Sequence, residues 1–227
     1  MSSRRAPEER LRSQILIVDD HPMTRYGVTR LIEQEEDLEV CGEADTVQRA
    51  IAAVRTLRPA LVLADLTMPG GEGLELIKDL RASHPDVAVL VLSMHDETFY
   101  AERALRAGAR GYIMKNEGGA RLIEAIRQIL AGRTYVSESM SAKALDMFSG
   151  RRRQTEDAIA AKLTDREFEV FRLIGQGMTT REIGQRLRLG AKTVETHRLH
   201  VRTKLGLSSG PALIKHAVRW VATHESI

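Results

Sequence analysis

Five side chains in the first half of the chain stand directly after short apolar runs. Asp19 and Asp20 follow residues 14–18, Asp65 follows 61–64, Ser93 follows 87–92 and Lys115 follows 111–114. If those runs are parallel strands of one sheet, their carboxyl ends share one edge, which is where such sheets bind ligands. Three carboxylates gathered there repel one another, a costly arrangement unless a cation sits among them. Oxygen ligands in a small, partly hydrated site suit Mg²⁺. Mg²⁺ beside a carboxylate nucleophile, with a lysine and a hydroxyl at hand, is an arrangement for phosphoryl transfer. The cations neutralise oxygens while the carboxylate attacks. The competing reading is that each acid separately caps the helix after it. Any one of them could, but chance convergence of all these groups is a poor explanation.

A second set lies near the other end, at 192–205. Val194, Val201 and Leu205 recur at helical spacing and should face a core, while Lys192, Glu195, Thr196, Leu199 and Thr203 fall on another side. An exposed face mixing a base, an acid, hydroxyls and one apolar side chain suits the major groove of DNA. Lys192, Arg198, Arg202 and Lys204 are placed to reach phosphates. A merely solvated face would account for the charges but poorly for Leu199, although single exposed leucines are common.

The elements that must position these groups can be read from periodicity. Apolar, β-branched runs at 14–18, 38–44, 61–64, 87–92 and 111–114 read as strands, the 87–92 run most clearly. Helical spacing at 23–33, 47–57, 74–82, 98–107 and 119–130 alternates with them, punctuated by Pro22, Pro59, Pro85, Gly108 and Gly132. Five strands alternating with five helices imply a five-stranded parallel, doubly wound α/β sheet of flavodoxin-like kind over 14–135. Residues 136–160 read as a linker with a short helix at 137–147 and an Arg151–Arg153 patch. The stretch 161–227 reads as an all-α four-helix unit. Capping boxes at Thr164–Glu167 and Thr179–Glu182 each open a helix, and a tight turn containing Gly190 joins the second helix to the third. That is a helix-turn-helix layout.

Composition sets the outer bounds. The 227 residues, 29% charged and 43% hydrophobic, are those of an ordinary globular chain. One cysteine excludes a disulfide framework or a cysteine-rich zinc site. No apolar run is long enough to span a bilayer and the first dozen residues carry no apolar signal core, so no membrane partner is expected and the cytoplasm is the expected location. The net charge of +3 hides an asymmetry. Residues 14–135 hold 14 Lys and Arg against 19 Asp and Glu, whereas 161–227 hold 12 against 6. An acidic part joined to a basic part suggests different partners, nucleic acid for the basic one.

Val18-Asp19-Asp20-His21-Pro22, Ala64-Asp65-Leu66-Thr67-Met68-Pro69-Gly70, Val91-Leu92-Ser93 and Gly111-Tyr112-Ile113-Met114-Lys115 resemble the receiver-domain motifs of two-component response regulators. Leu163-Thr164-Asp165-Arg166-Glu167, Lys192-Thr193-Val194-Glu195-Thr196-His197-Arg198 and Lys204-Leu205-Gly206-Leu207 resemble the LuxR-type DNA-binding domain. Together they resemble the NarL/FixJ class, over nearly the whole chain outside the first dozen residues and the linker.

The resemblance implies that Asp65 accepts a phosphoryl group from a sensor histidine kinase. It implies that Asp20, Asp65 and the backbone carbonyl of Thr67 bind Mg²⁺, with Asp19 contributing through water. Lys115 would hold a phosphoryl oxygen, and Ser93 and Tyr112 would form the switch. It further implies double-stranded DNA as ligand, read by a recognition helix bearing Lys192, Thr193, Glu195, Thr196, His197, Arg198, Leu199, Arg202 and Lys204. The resemblance also implies a homodimer on phosphorylation, docked domains that release the recognition helix on activation, and RNA polymerase as a candidate partner. Turnover as an enzyme is not expected. Two alternatives stand beside this. One is a regulator of the same fold that binds DNA without phosphorylation, against which the intact acidic set argues. The other is a Mg²⁺-dependent phosphatase with an Asp nucleophile, but the position two residues after Asp65, where such enzymes carry a second Asp, holds Thr67. Lys115 is followed by Asn116 where many receivers have proline, and a cis peptide there is far costlier without one.

Overall fold

The computed structural model describes residues 12–66, 68, 73–94, 97–137, 140 and 162–224. Strands β1 (Ser13–Val18), β2 (Leu38–Ala44), β3 (Leu61–Ala64), β4 (Ala88–Ser93) and β5 (Gly111–Met114) alternate with helices α1 (Pro22–Ile32), α2 (Val47–Leu57), α3 (Gly73–Ser83), α4 (Glu97–Ala107) and α5 (Gly119–Leu130). The sheet order is β2-β1-β3-β4-β5 and every pairing is parallel. The expected doubly wound α/β fold is therefore present. Its central strands are apolar at consecutive positions because both faces are covered. Leu16, Val18, Val62, Ala64, Val89, Val91 and Tyr112 face α2, α3 and α4. The intervening Ile15, Ile17, Leu61, Leu63, Leu90, Leu92 and Ile113 face α1 and α5.

Local chemistry sets the element ends. The helix expected from residue 23 starts at Pro22, because a first-turn residue has no helical acceptor for its N–H and proline lacks one. Thr46 caps α2 by accepting from the Arg49 N–H. Beyond α5 the chain returns to the sheet. The Tyr112 N–H donates to the Tyr135 carbonyl at 3.1 Å and the Tyr135 N–H to the Arg110 carbonyl at 3.0 Å. The 136–160 linker, with its short helix and arginine patch, falls almost wholly outside the described residues.

The second unit comprises α6 (Asp165–Gly175), α7 (Thr180–Leu187), α8 (Ala191–Lys204) and α9 (Gly210–His224). Both expected capping boxes are formed, at Thr164/Glu167 and Thr179/Glu182. Its core is aromatic: Trp220 meets Phe168 and Phe171 edge-on at 5.4 and 5.7 Å between centroids. Gly175 lets α9 approach closely, since a Cβ there would stand 2.5 Å from the Ala217 carbonyl oxygen. Arg188 in the left-handed region ends α7 and Gly190 caps α8, which makes the sharp turn between them.

The two units meet along α3, α4 and α6. The Arg103 guanidinium donates to Asp165 Oδ1 at 2.6 Å and to the Leu163 carbonyl at 3.1 Å, and lies 4.6 Å above the Phe168 ring. Lys78 Nζ donates to Asp165 Oδ2 at 3.0 Å, and Tyr100 meets Phe168 edge-on at 5.4 Å.

Candidate functional site

The acidic edge is built by the sheet ladder running one step past the strands. The Asp19 N–H donates to the Ala44 carbonyl at 3.0 Å, the Asp65 N–H to the Val18 carbonyl at 2.8 Å and the Lys115 N–H to the Ser93 carbonyl at 2.8 Å. Each functional residue is therefore fixed by a backbone bond before its side chain does anything. Asp19 and Asp65 are both 3% exposed. Lys115 Nζ lies between them, donating to Asp19 Oδ2 at 2.7 Å and to Asp65 Oδ2 at 2.8 Å. Burial alone would lower the Lys115 pKa, but the carboxylates of Asp65 and Asp19 outweigh it and hold the ammonium above its ordinary range. Lys115 thus stays charged at neutral pH.

Asp20 completes the cluster. One ligand atom from each of Asp19, Asp20, His21 and Asp65 lies within 4.8 Å of all the others. His21 Nδ1 comes within 2.8 Å of Asp20 Oδ1, yet that oxygen is buried and receives no hydrogen bond, so the approach lacks hydrogen-bonding geometry. A buried carboxylate oxygen without a donor, beside two further carboxylates, fits a small hard cation such as Mg²⁺. Thr67, whose carbonyl was expected as a further ligand, lies outside the described residues. Ser93 is fully buried at the end of β4, on the face of Val91, whose register partner is Tyr112. Tyr112 is 1% exposed and points into the core shared by α3 and α4. No peptide bond among the described residues is cis, so Lys115–Asn116 is trans.

The helical unit brings most of the second set to one face. Val194 and Val201 are fully buried, as their spacing required, while Lys192, Thr193, Glu195, Thr196 and Leu199 are exposed, Leu199 to 49%. Arg198 and Arg202 are half-buried at its flanks. Two of the expected residues also make contacts within the unit. His197 is half-buried beside Arg166 and Glu167, where burial and the Arg166 charge hold its pKa below the ordinary imidazole value. Lys204 donates to Oε2 of the buried Glu167 at 2.6 Å, tying the end of α8 to the start of α6.

Several contributors have no short-range sequence signal. Arg25 donates to the Asp19 carbonyl at 2.6 Å and to Glu43 at 2.9 Å, bracing the loop that carries the acids. The Asp165 contacts with Lys78 and Arg103 join residues 87 and 62 positions apart. The Thr180 hydroxyl donates to Glu195 Oε1 at 2.6 Å, across the turn from α7 to α8. Adjacency alone could have placed His21 near the acids, one residue past Asp20.

A sheet edge bearing three carboxylates and a lysine, joined to a helix-turn-helix unit with an exposed polar face, defines a receiver coupled to a DNA-binding module. Residues 15–127 match the response regulator receiver domain, and residues 161–217 match the bacterial regulatory proteins of the luxR family. The chain is 35% identical over 212 residues to the oxygen regulatory protein NreC of Staphylococcus epidermidis, spanning 91% of this chain and 97% of that protein. RcsB from Salmonella enterica serovar Typhimurium, bound to promoter rprA in the presence of phosphomimetic BeF3⁻, superposes with a TM-score of 0.65 at 26% identity, covering 91% of this chain and 98% of that one. A structure of two RcsB dimers bound to two parallel DNAs gives 0.55 at 25% identity, covering 91% and 98%. The chain belongs to the two-component response regulators that join a receiver domain to a luxR-type DNA-binding domain, and it is a DNA-binding regulator of transcription.

Proposed function

We propose that Asp65 is the phosphoryl acceptor of this regulator and that its phosphorylation by a sensor histidine kinase drives homodimerisation on DNA. The observation that carries this is the Lys115 ammonium, bonded at once to Asp65 and Asp19 in a buried edge. A lysine so placed holds a phosphoryl oxygen beside the attacking carboxylate of Asp65. Asp20 and Asp65 would hold Mg²⁺ with the Thr67 carbonyl, and Asp19 would act through water; when bound, the ion neutralises phosphoryl oxygens. Asp65 attacks through one carboxylate oxygen, forming an acyl phosphate as the donor's leaving group departs. Ser93 then turns its hydroxyl toward the phosphoryl group, and Tyr112 follows it on the same face of the sheet. The protein takes part in its own modification without turnover.

DNA is contacted through α8, with Glu195, Thr196 and Leu199 toward base edges and Lys192, Thr193, Arg198 and Arg202 toward the backbone. The bond from Lys204 to Glu167 and the recess around His197 give those two a supporting place beside that face. Ile214 and Val218, 43% and 44% exposed one turn apart on α9, suit contact with a second copy. No helix among the described residues is long and apolar enough to cross a membrane; a DNA-binding regulator would act in the cytoplasm, with RNA polymerase a candidate partner. The test is labelling with acetyl phosphate. Wild type should incorporate phosphoryl in Mg²⁺ and not in chelator, and Asp65→Asn should not, because an amide is no nucleophile. Equal labelling of the variant would remove Asp65 from this role.

A further inference from the structure

The hydroxyl of Thr180 is the first residue's side chain of α7, yet the cap of that helix does not use it. The capping box is completed by Thr179 and Glu182 alone. Thr180 Oγ1 instead reaches across the turn and donates to Glu195 Oε1 at 2.6 Å. Arg198 Nε lies 3.7 Å from the same oxygen. Glu195 is thus gripped from two sides at one oxygen, although its side chain is 59% exposed. A free surface glutamate samples many rotamers and gains nothing by being fixed. Thr196, its neighbour, has its hydroxyl bonded to the Lys192 carbonyl at 3.0 Å and so presents its methyl outward.

We propose that Thr180 is a positioning residue for base readout: it orients the Glu195 carboxylate so that Oε2 addresses one amino-bearing base edge in the major groove. The inference rests on the assignment of α8 as the helix that reads DNA. A carboxylate offers acceptors only, so the base it selects is one that donates, foremost cytosine through its N4 amino group. With Oε1 already accepting from Thr180, Oε2 is left to accept from an amino-bearing base edge. Prior orientation also removes the ordering cost that a mobile side chain meets on binding. Thr180 touches no base in this scheme; its whole effect passes through Glu195.

The experiment uses the full chain, phosphorylated with acetyl phosphate, and a pool of synthetic duplexes with a randomised core. Wild type, Thr180→Val, Thr180→Ser and Glu195→Ala select from the pool, and the best wild-type duplex is then titrated together with its single-base variants. Valine keeps the shape and the β-branch but removes the donor. Thr180→Val is expected to lose about two- to tenfold of the preference at one base pair, the ordering cost of one side chain. Glu195→Ala should lose preference at that same base pair, Thr180→Ser should restore it, and Thr180→Val should have no effect in a Glu195→Ala background. A Thr180→Val loss spread evenly over all the duplexes, or one that persists without Glu195, overturns the proposal while leaving DNA reading by α8 intact. If Thr180→Val selects as wild type does at every position, the proposal alone fails. If wild type enriches no sequence, the reading of α8 fails and takes the proposal with it.

Discussion

Glu167 shows how much one carboxylate can hold together. It is 3% exposed, accepts the Thr164 N–H at 2.8 Å as the capping-box residue of α6, and accepts Lys204 Nζ at 2.6 Å from the end of α8. His200 Nδ1, one helical turn before Lys204, lies 3.6 Å from its other oxygen. Burial would raise the Glu167 pKa, but Lys204 and the cap donors prevail and hold it below its ordinary 4.5. A depressed carboxylate contributes stability that is complete above its unfolded pKa and is lost as pH falls through the folded value. Glu167→Gln keeps a residue suited to the cap and removes the charge. It should cost about 1–3 kcal/mol at pH 7, and in thermal melts the gap to wild type should close below pH 4.5. A gap that persists undiminished in acid would show that packing, not the ion pair, is what the substitution disturbs. The capping role was legible in the Thr-x-x-Glu spacing. The bond to Lys204, 37 residues away, was not, because nothing in a local pattern says which outer lysine folds back onto a cap. The same holds at the acidic edge. Asp19, Asp65 and Lys115 follow directly from strand ends, whereas Arg25 donates to the Asp19 carbonyl from the second turn of a helix whose own spacing does not single it out.

On the proposed function α8 carries two kinds of contact, and they should fail differently. Its buried side was readable because Val194 and Val201 keep helical period and fill the core completely. Its exposed side gives residue types but not which atoms they present. The Thr196 hydroxyl is bonded to the Lys192 carbonyl, so the outward group is a methyl, which suits contact with a thymine methyl. Thr196→Val should therefore retain any thymine preference, and Thr196→Ser should lose about 0.8 kcal/mol of it, the value of one buried methyl-sized group. The check is titration against thymine and uracil duplexes, which differ only in that methyl. Equal behaviour of Val and Ser would assign the hydroxyl, not the methyl, to the contact. Lys192 is exposed at the first turn of the same helix, where a phosphate contact is proposed. Lys192→Ala should weaken all duplexes about equally and lower the salt slope by about one. A base-dependent loss, with the slope unchanged, would move Lys192 from the backbone to a base edge.

At the scale of the whole molecule, the two units meet at a seam of ion pairs and aromatic contacts. Glu169 stands in the cleft beside it, with Val47, Ile51, Leu74, Glu75, Asp79 and Asp165 around it. Burial pushes its carboxyl up to about 7 although Arg166 lies 2.8 Å away. Between its ordinary 4.5 and about 7 the docked form therefore holds a proton that a separated form would release, so docking weakens as pH rises through that window. Asp165 acts in the opposite sense. Burial raises its pKa, but Lys78 and Arg103 prevail and hold it below 3.8, so its bonds fail only in acid. The separation of full-length protein seen by small-angle X-ray scattering should grow from pH 6 to pH 8, and Glu169→Gln should flatten that change. Arg103→Ala should open the seam at every pH, since it removes the bonds to Asp165 and Leu163 and the cover over Phe168. The units were legible in sequence, but their contact was not, because its polar pairs span 60 residues or more across a linker. The contact bears on the expectation that the docked domains release the recognition helix on activation. With the units joined, Lys192, Thr193, Glu195, Thr196 and Leu199 remain exposed, and so do Ile214 and Val218 on α9. All of them are thus exposed while the units are joined. Arg103→Ala should therefore expand the unphosphorylated protein while changing its affinity for a single DNA half-site by no more than about twofold, roughly 0.4 kcal/mol. A gain of tenfold or more would show that the docked receiver itself blocks the approach to DNA. An expansion without that gain would support the proposal that phosphorylation acts by pairing two copies.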